Sequence, residues 1–196
     1  MQIVTVLLSY LLGSISFSLI IGKLVKGIDI RQHGSGNAGA TNTLRVLGKG
    51  PAVLVLLLDV CKGIGAVWIG KWLGDGEIWT EVLCGLAVII GHNWPVFFGF
   101  KGGKGIATTI GVLVSLAFWP ALFAGIFAIL AIAISRYVSI GSLLFTALMP
   151  VFLLLTRTEM ELFWASLLIA AFAFIRHRSN IVKLVQKREN KLGAKR

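Results

Sequence analysis

Of the 196 residues, 57% are hydrophobic and only 14% are charged, and the mean hydropathy is +0.88. Soluble domains carry about 25% charged residues, so the composition excludes an ordinary water-soluble enzyme. It predicts an all-α, polytopic membrane helical bundle folded as a single domain over residues 1–196. The 19 Lys and Arg against 8 Asp and Glu, a net charge of +11, imply anionic lipids and metabolites as partners; no nucleic acid is expected.

In chain order, Ile3–Ile21 is the first apolar run. No basic residue precedes it and no small-residue cleavage site follows it, so it reads as a retained span rather than a signal peptide. Six more apolar segments follow at about 52–70, 78–92, 105–119, 121–134, 140–155 and 161–175. Several fall short of the ~20 residues a straight span needs. Trp119-Pro120 separates the fourth from the fifth. One helix over 106–134 would run about 43 Å, well beyond the ~30 Å hydrocarbon core, which favours a hairpin there. The hairpin also places 16 of the 19 basic residues on the cytoplasmic side when the N-terminus is outside, as the positive-inside rule requires. Lys71 and Arg157 then lie outside and Lys62 within a span. Asp75, Glu77, Glu81, Glu159 and Glu161 are all outside, leaving Asp29 and Glu189 inside. The expectation is seven transmembrane helices, N-terminus outside and C-terminus cytoplasmic, with the basic tail Lys183–Arg196 serving as topology signal and lipid anchor.

Cys61 and Cys84 sit in apolar stretches without CxxC or Cys/His spacing and read as buried small hydrophobes. His33, His92 and His177 have no metal-ligand spacing, so no metal site is expected. His33 reads as a polar loop residue, whereas His92 and His177 are candidates for acid/base work or phosphate contact. Asp59 and Lys62, one helical turn apart, read as a neutralising pair within the second span.

Four polar clusters interrupt this oily chain: Gly34–Arg45, Gly91–Gly105, Ser135–Ser142 and Arg176–Asn180. The predicted topology puts all four on the cytoplasmic side. Polar groups at membrane depth are costly and usually line a functional cavity, so a single composite site is expected. The first block gathers Gln32, Ser35, Asn37, Thr41, Asn42 and Thr43 among glycines that include Gly36, and ends in Arg45, whose guanidinium can fork two bonds onto a phosphate. The second ends in Lys101-Gly102-Gly103-Lys104-Gly105 just before an apolar helix, where N-terminal amides and a cation can surround an anion. A Walker loop is absent, because Ile106 stands where Ser or Thr is required, and an ATPase is not expected. Two anion cradles predict two phosphate-bearing ligands.

The strings Gly34-Ser35-Gly36-Asn37-Ala38-Gly39-Ala40-Thr41-Asn42, Gly91-His92 with Pro95 and Phe98-Gly99-Phe100-Lys101-Gly102-Gly103-Lys104-Gly105, and Arg176-His177-Arg178-Ser179-Asn180-Ile181 resemble the three motifs of the bacterial PlsY family of integral-membrane acyltransferases. The resemblance spans the whole chain; Ala38 departs from it, standing where Pro or Ile is common. It implies transfer of a fatty acyl group from acyl phosphate to the sn-1 hydroxyl of glycerol 3-phosphate, giving lysophosphatidate in the bacterial inner membrane. Membrane lipids and the soluble enzyme that makes acyl phosphate are the implied partners, and no cofactor is implied.

The roles expected on this basis are specific. Ser35, Gly36, Asn37, Thr41, Asn42 and Arg45 hold one phosphate, the donor's. His92, Lys101, Gly102, Gly103 and Lys104 hold that of glycerol 3-phosphate. Ser139, Ser142, His177 and Asn180 add hydrogen-bond partners, and His177, Lys104 and Arg45 are the catalytic candidates. The His-x₄-Asp pattern of another acyltransferase class is absent, since Ala38, Phe97 and Val182 lie five beyond the three histidines, and so is a Gly-x-Ser-x-Gly elbow. Direct transfer without a covalent acyl-enzyme is therefore expected, with the proton going to His177 or to a donor phosphate oxygen. The competing readings are a transporter of phosphate-bearing metabolites and a non-catalytic lipid-binding protein.

Overall fold

The computed structural model describes residues 2–74 and 76–193; Asp75 and the tail residues Ala194–Arg196 lie outside them. Among the described residues the fold is all-helical, with ten α-helices and two short 3₁₀ turns. The chain divides into two compact units, Met1–Leu116 and Ala117–Arg196.

The first unit holds α1 (Gln2–Ser14), α2 (Phe17–Lys26), α3 (Ala40–Leu47), α4 (Lys49–Leu73), α5 (Ile78–Asn93) and α6 (Ile106–Leu116). Lipid supplies no hydrophobic drive between helices, so close backbone approach at small residues must hold them. Two reciprocal glycine contacts do this. A Cβ on Gly13 of α1 would overlap the Val88 carbonyl of α5, and one on Gly91 of α5 would overlap the Tyr10 carbonyl of α1. Gly63 of α4 meets the Thr108 carbonyl of α6 in the same way, and Gly111 of α6 meets the Val60 carbonyl of α4.

The first apolar run is broken between α1 and α2, although Gln2–Lys26 together is long and apolar enough to span. Backbone groups freed by such a break need partners inside the protein. The Lys62 ammonium of α4 provides them, donating to the carbonyls of Gly13 at 3.1 Å and Ile15 at 2.9 Å. Lys62 is more than a charge partner: besides Asp59 it closes this break.

The second unit holds α7 (Phe118–Ser135), α8 (Val138–Leu155), α9 (Met160–Arg176) and α10 (Arg178–Val185), packed in sequence order. Phe123 and Phe127 of α7 pack on Phe152 of α8. Arg136, in the left-handed region at φ 64°, ends α7. Its guanidinium donates to the Leu192 carbonyl at 3.0 Å, and Leu192 N–H donates back to the Arg136 carbonyl at 2.7 Å. The segment after α10 is thus tied to the α7–α8 connection.

All seven expected apolar segments are helical, but they do not all have spanning length. Five helical stretches are long and apolar enough to cross a membrane, and α9 with α10, bent by 60°, makes six. The exception is α6, with 11 residues; at 1.5 Å per residue it covers about 16 Å. The predicted break beside Trp119-Pro120 falls earlier, at Ala117. Pro120 instead sits in the first turn of α7, where a missing N–H costs no helical bond. Cys84 is buried as expected, whereas Cys61 is exposed: it lies on the face of α4 that also exposes Leu54 and Leu57, an apolar surface suited to lipid.

Candidate active site

The first glycine block is built around one side chain. Asn42, at 0% exposure, uses its whole hydrogen-bonding capacity within the loop. Its Nδ2 donates to the carbonyls of Ile30 and His33, both at 3.0 Å. Its Oδ1 accepts from Ser35 N–H at 2.7 Å and Ser35 Oγ at 3.1 Å. Two donors and two lone pairs are all that an amide has, so in this structure the Asn42 amide is fully committed to shaping the loop, where the sequence suggested a phosphate contact. Gly34 has to be glycine, with φ of 63° and no room for a Cβ against Asn42 Oδ1. Ser35 and Gly36 are exposed at the loop surface, and Arg45 is exposed in the last turn of α3.

The second block starts in the last turn of α5, which ends at Asn93. Its chain turns back so that Gly103 N–H donates to the His92 carbonyl at 3.1 Å, and Phe100 N–H to the Pro95 carbonyl at 2.9 Å. The Tyr10 hydroxyl, from α1, donates to the Trp94 carbonyl at 2.9 Å. Gly105, at φ 81°, leads into α6. Lys101 is exposed and Lys104 half-buried, while the His92 ring is buried with Nδ1 3.5 Å from Asp59 Oδ1.

The two blocks meet. A Cβ on Gly103 would overlap both His92 Nε2 and the Ala38 carbonyl of the first block. Arg31 Nη1 donates across to the carbonyls of Phe98 at 3.0 Å and Lys101 at 3.3 Å. Asp29 grips the same guanidinium from the other side, at 2.7 Å from Nη2. The Arg31 hydrogen bond holds the Asp29 carboxyl below the usual carboxylate range, and Asp29 raises Arg31 in turn. Neither residue stood out in the sequence. The one available signal was that Asp29 is one of only two acids expected on the cationic side.

In the second unit, His177 joins α9 to α10 and is 3% exposed. Its Nδ1 lies 2.8 Å from the Ala173 carbonyl. A carbonyl only accepts, so Nδ1 carries a proton. The Ser142 hydroxyl donates to the Val138 carbonyl at 2.9 Å, whereas buried Ser139 Oγ has no hydrogen-bond partner among the described residues. Asn180 donates to both Glu189 carboxylate oxygens, at 2.9 and 3.0 Å, a partner that the sequence pattern did not suggest. No three His, Cys, Asp or Glu among the described residues are grouped so as to hold a metal ion.

Several apolar helices long enough to cross a bilayer, broken by glycine-built polar loops that carry Arg and Lys, define an integral membrane protein. The family model described as Glycerol-3-phosphate acyltransferase matches residues 3–187, and the chain belongs to that family. A glycerol-3-phosphate acyltransferase of Shouchella clausii (strain KSM-K16) is 54% identical over 198 residues, covering 98% of this chain and 97% of the relative. One from Halalkalibacterium halodurans is 54% identical over 193 residues, covering 96% and 94%. Among solved structures, the glycerol 3-phosphate form of PlsY (YgiH), an integral membrane glycerol 3-phosphate acyltransferase, superposes with a TM-score of 0.92 at 41% identity, covering 98% of this chain and 96% of that one. Its lysophosphatidic acid form gives 0.90 at 41% identity, covering 98% and 95%.

Proposed function

We propose that this glycerol-3-phosphate acyltransferase takes its acyl group from acyl phosphate and delivers it to the sn-1 hydroxyl of glycerol 3-phosphate, releasing lysophosphatidate and inorganic phosphate. The observation that carries the proposal is the meeting of the two glycine-rich blocks, Gly103 under the Ala38 carbonyl with Arg31 bridging Asp29 to the carbonyls of Phe98 and Lys101. Two cradles of backbone amides with cations alongside suit two phosphate-bearing reactants. Glycerol 3-phosphate and lysophosphatidic acid forms of the 41%-identical relative support the acceptor and the product.

In this mechanism the acceptor oxygen attacks the acyl carbon, a tetrahedral oxyanion forms, and the carbon–oxygen bond to phosphate breaks as phosphate departs. The hydroxyl proton leaves with that phosphate, whose oxygen serves as base; because the acceptor attacks the acyl carbon directly, no acyl-enzyme forms. Proximity supplies much of the rate, and Arg45, Lys104 and nearby N–H donors stabilise the developing charge. Ser35, Gly36, Asn37 and Thr41 belong to the donor-phosphate cradle, and His92, Lys101, Gly102 and Gly103 to the acceptor's. Ser139, Ser142, His177 and Asn180 contribute further hydrogen bonds. We place the chain in the bacterial inner membrane as one acyltransferase domain with seven spans, N-terminus outside, and with the active site facing the cytoplasm, where a soluble enzyme supplies acyl phosphate.

Purified protein in detergent, given acyl phosphate and glycerol 3-phosphate, should release lysophosphatidate and phosphate in equal amounts with no membrane gradient. Turnover with a different acyl donor and none with acyl phosphate would overturn the donor assignment. His177→Ala should retain measurable turnover; complete loss with glycerol 3-phosphate binding intact, and with the imidazole limb gone from the pH profile, would make His177 the base.

A further inference from the structure

The second span carries two charges that the transfer chemistry does not use. Asp59 and Lys62 are buried, at 1% and 3% exposure, and lie 2.9 Å apart on α4. A buried ion pair is poor evidence for stability, since apolar side chains of similar volume often serve as well. What these two touch is more informative.

Lys62 donates to the Gly13 and Ile15 carbonyls and forms an ion pair with Asp59 Oδ1 at 2.9 Å. It therefore fixes the break between α1 and α2. Asp59 Oδ1 faces Lys62 on one side and His92 Nδ1, at 3.5 Å, on the other. His92 in turn lies directly against the second glycine block. Its carbonyl accepts the Gly103 N–H, a Cβ on Gly102 would overlap that same carbonyl, and a Cβ on Gly103 would overlap Nε2. An unbroken line of contacts runs from the α1–α2 break through Lys62, Asp59 and His92 to the Gly102-Gly103 backbone.

We propose that Asp59 and Lys62 are positioning residues for acyl transfer: Lys62 anchors Asp59 to the broken first span, and Asp59 sets the His92 ring that backs the Gly102-Gly103 cradle. The inference rests on reading the second block as the glycerol 3-phosphate cradle. Asp59 makes its contribution through His92, so the two residues are energetically coupled.

The test is a double-mutant cycle of Asp59→Asn and His92→Gln in full-length protein in detergent, with thermal midpoint recorded for every variant. Asp59→Asn should raise the KM for glycerol 3-phosphate at least tenfold with a smaller change in kcat. Because it acts through His92, the double variant should be no worse than His92→Gln alone, within threefold. A folded Asp59→Asn protein with KM within twofold of wild type, or single losses that multiply in the double variant, would overturn the proposal. If Asp59→Asn does not fold, Asp59→Glu enters the same cycle: it keeps the charge but displaces the carboxylate by one methylene, and a wild-type KM there would overturn it too. Glycerol 3-phosphate affinity is also measured by calorimetry, which needs no acyl donor. Failure of the acyl-phosphate assignment then shows as absent turnover with an intact binding cycle, whereas failure of the positioning role shows as uncoupled binding.

Discussion

Asn42→Asp replaces one side chain with its isostere and inverts half of what it does. Oδ1 still accepts from Ser35 N–H and Oγ, but the group facing the carbonyls of Ile30 and His33 changes from a donor at 3.0 Å to an acceptor. Two hydrogen bonds of about 1 kcal/mol each are lost, although the Ile30 and His33 carbonyls keep the N–H groups of His33 and Gly36 as donors. A carboxylate oxygen facing them adds repulsion at a fully buried position, partly relieved by opening of the loop. A net cost of about 2–4 kcal/mol is expected in the folding of this segment. Protonation restores one donor, so the defect should shrink as pH falls, in line with a raised carboxyl pKa at that site.

The assay is paired: thermal midpoint in detergent across pH, and initial rates with glycerol 3-phosphate varied. Both should suffer, with a lowered midpoint and kcat/KM down at least a hundredfold, because the loop that presents Ser35 loses its frame. If Asn42 were instead a substrate ligand, the variant would keep its wild-type midpoint and show a KM effect alone. That outcome would refute the assignment of Asn42 to loop architecture.

Arg31→Met removes the bridge to Phe98 and Lys101 and should raise the KM for glycerol 3-phosphate about tenfold by loosening the second block, as Michaelis kinetics would show; an unchanged KM would make the bridge incidental. Asp29 has a depressed carboxyl pKa, so its contribution is present above the ordinary carboxylate value of about 3.9 and is lost as pH falls through the lower folded value. Thermal midpoints of wild type and Asp29→Asn should therefore differ at neutral pH and converge only in strong acid. Arg45→Ala and Lys104→Ala should each cost about 2–5 kcal/mol in kcat/KM, the loss typical of unpairing a desolvated charge; losses under tenfold for both would remove them from the phosphate cradles. Gly63→Leu should disrupt the α4–α6 contact against the Thr108 carbonyl and lower the thermal midpoint, whereas Gly125→Ala, with nothing within 4 Å of the added Cβ, should leave it the same or slightly higher.

Charge scarcity and hydropathy made the helical membrane character legible, because a hydrocarbon solvent constrains composition directly. Spans were harder to delimit. The 105–119 segment is apolar throughout, yet its helix runs only from Ile106 to Leu116, and hydropathy does not distinguish a short helix between breaks from a full span. The glycine blocks were visible as polar interruptions of an apolar chain, but the division of labour inside them was not. Asn42 and Ser35 look alike as polar loop residues, and only their coordinates separate a buried amide with four bonds from an exposed hydroxyl. Arg31, Asp29 and Glu189 were missed for the same reason: a lone charge in a loop carries no pattern until its partner is known. Lys62 was read as neutralising Asp59, which it does, but its two carbonyl acceptors lie 47 and 49 residues away, beyond any local spacing rule.

The first unit accordingly divides its polar residues by burial. Asn42 and Lys62 are buried with their donors committed to backbone carbonyls, and Asp59 is buried against Lys62 and His92. Ser35 and Lys101, at the loop surfaces, and Arg45, in the last turn of α3, are by contrast exposed. Such an arrangement suits a transferase whose donor is already activated. On the proposed direct transfer there is no nucleophile to generate, and what the protein supplies is backbone amides and cations fixed in place before the reactants arrive, since dipoles that need not reorganise stabilise a developing charge best. Rigid glycine loops in a bilayer, where each broken backbone bond needs an internal partner, require that kind of buried polar support. Substitutions at Asn42, Asp59 and Lys62 should therefore disturb the geometry of both cradles without any of the three touching substrate.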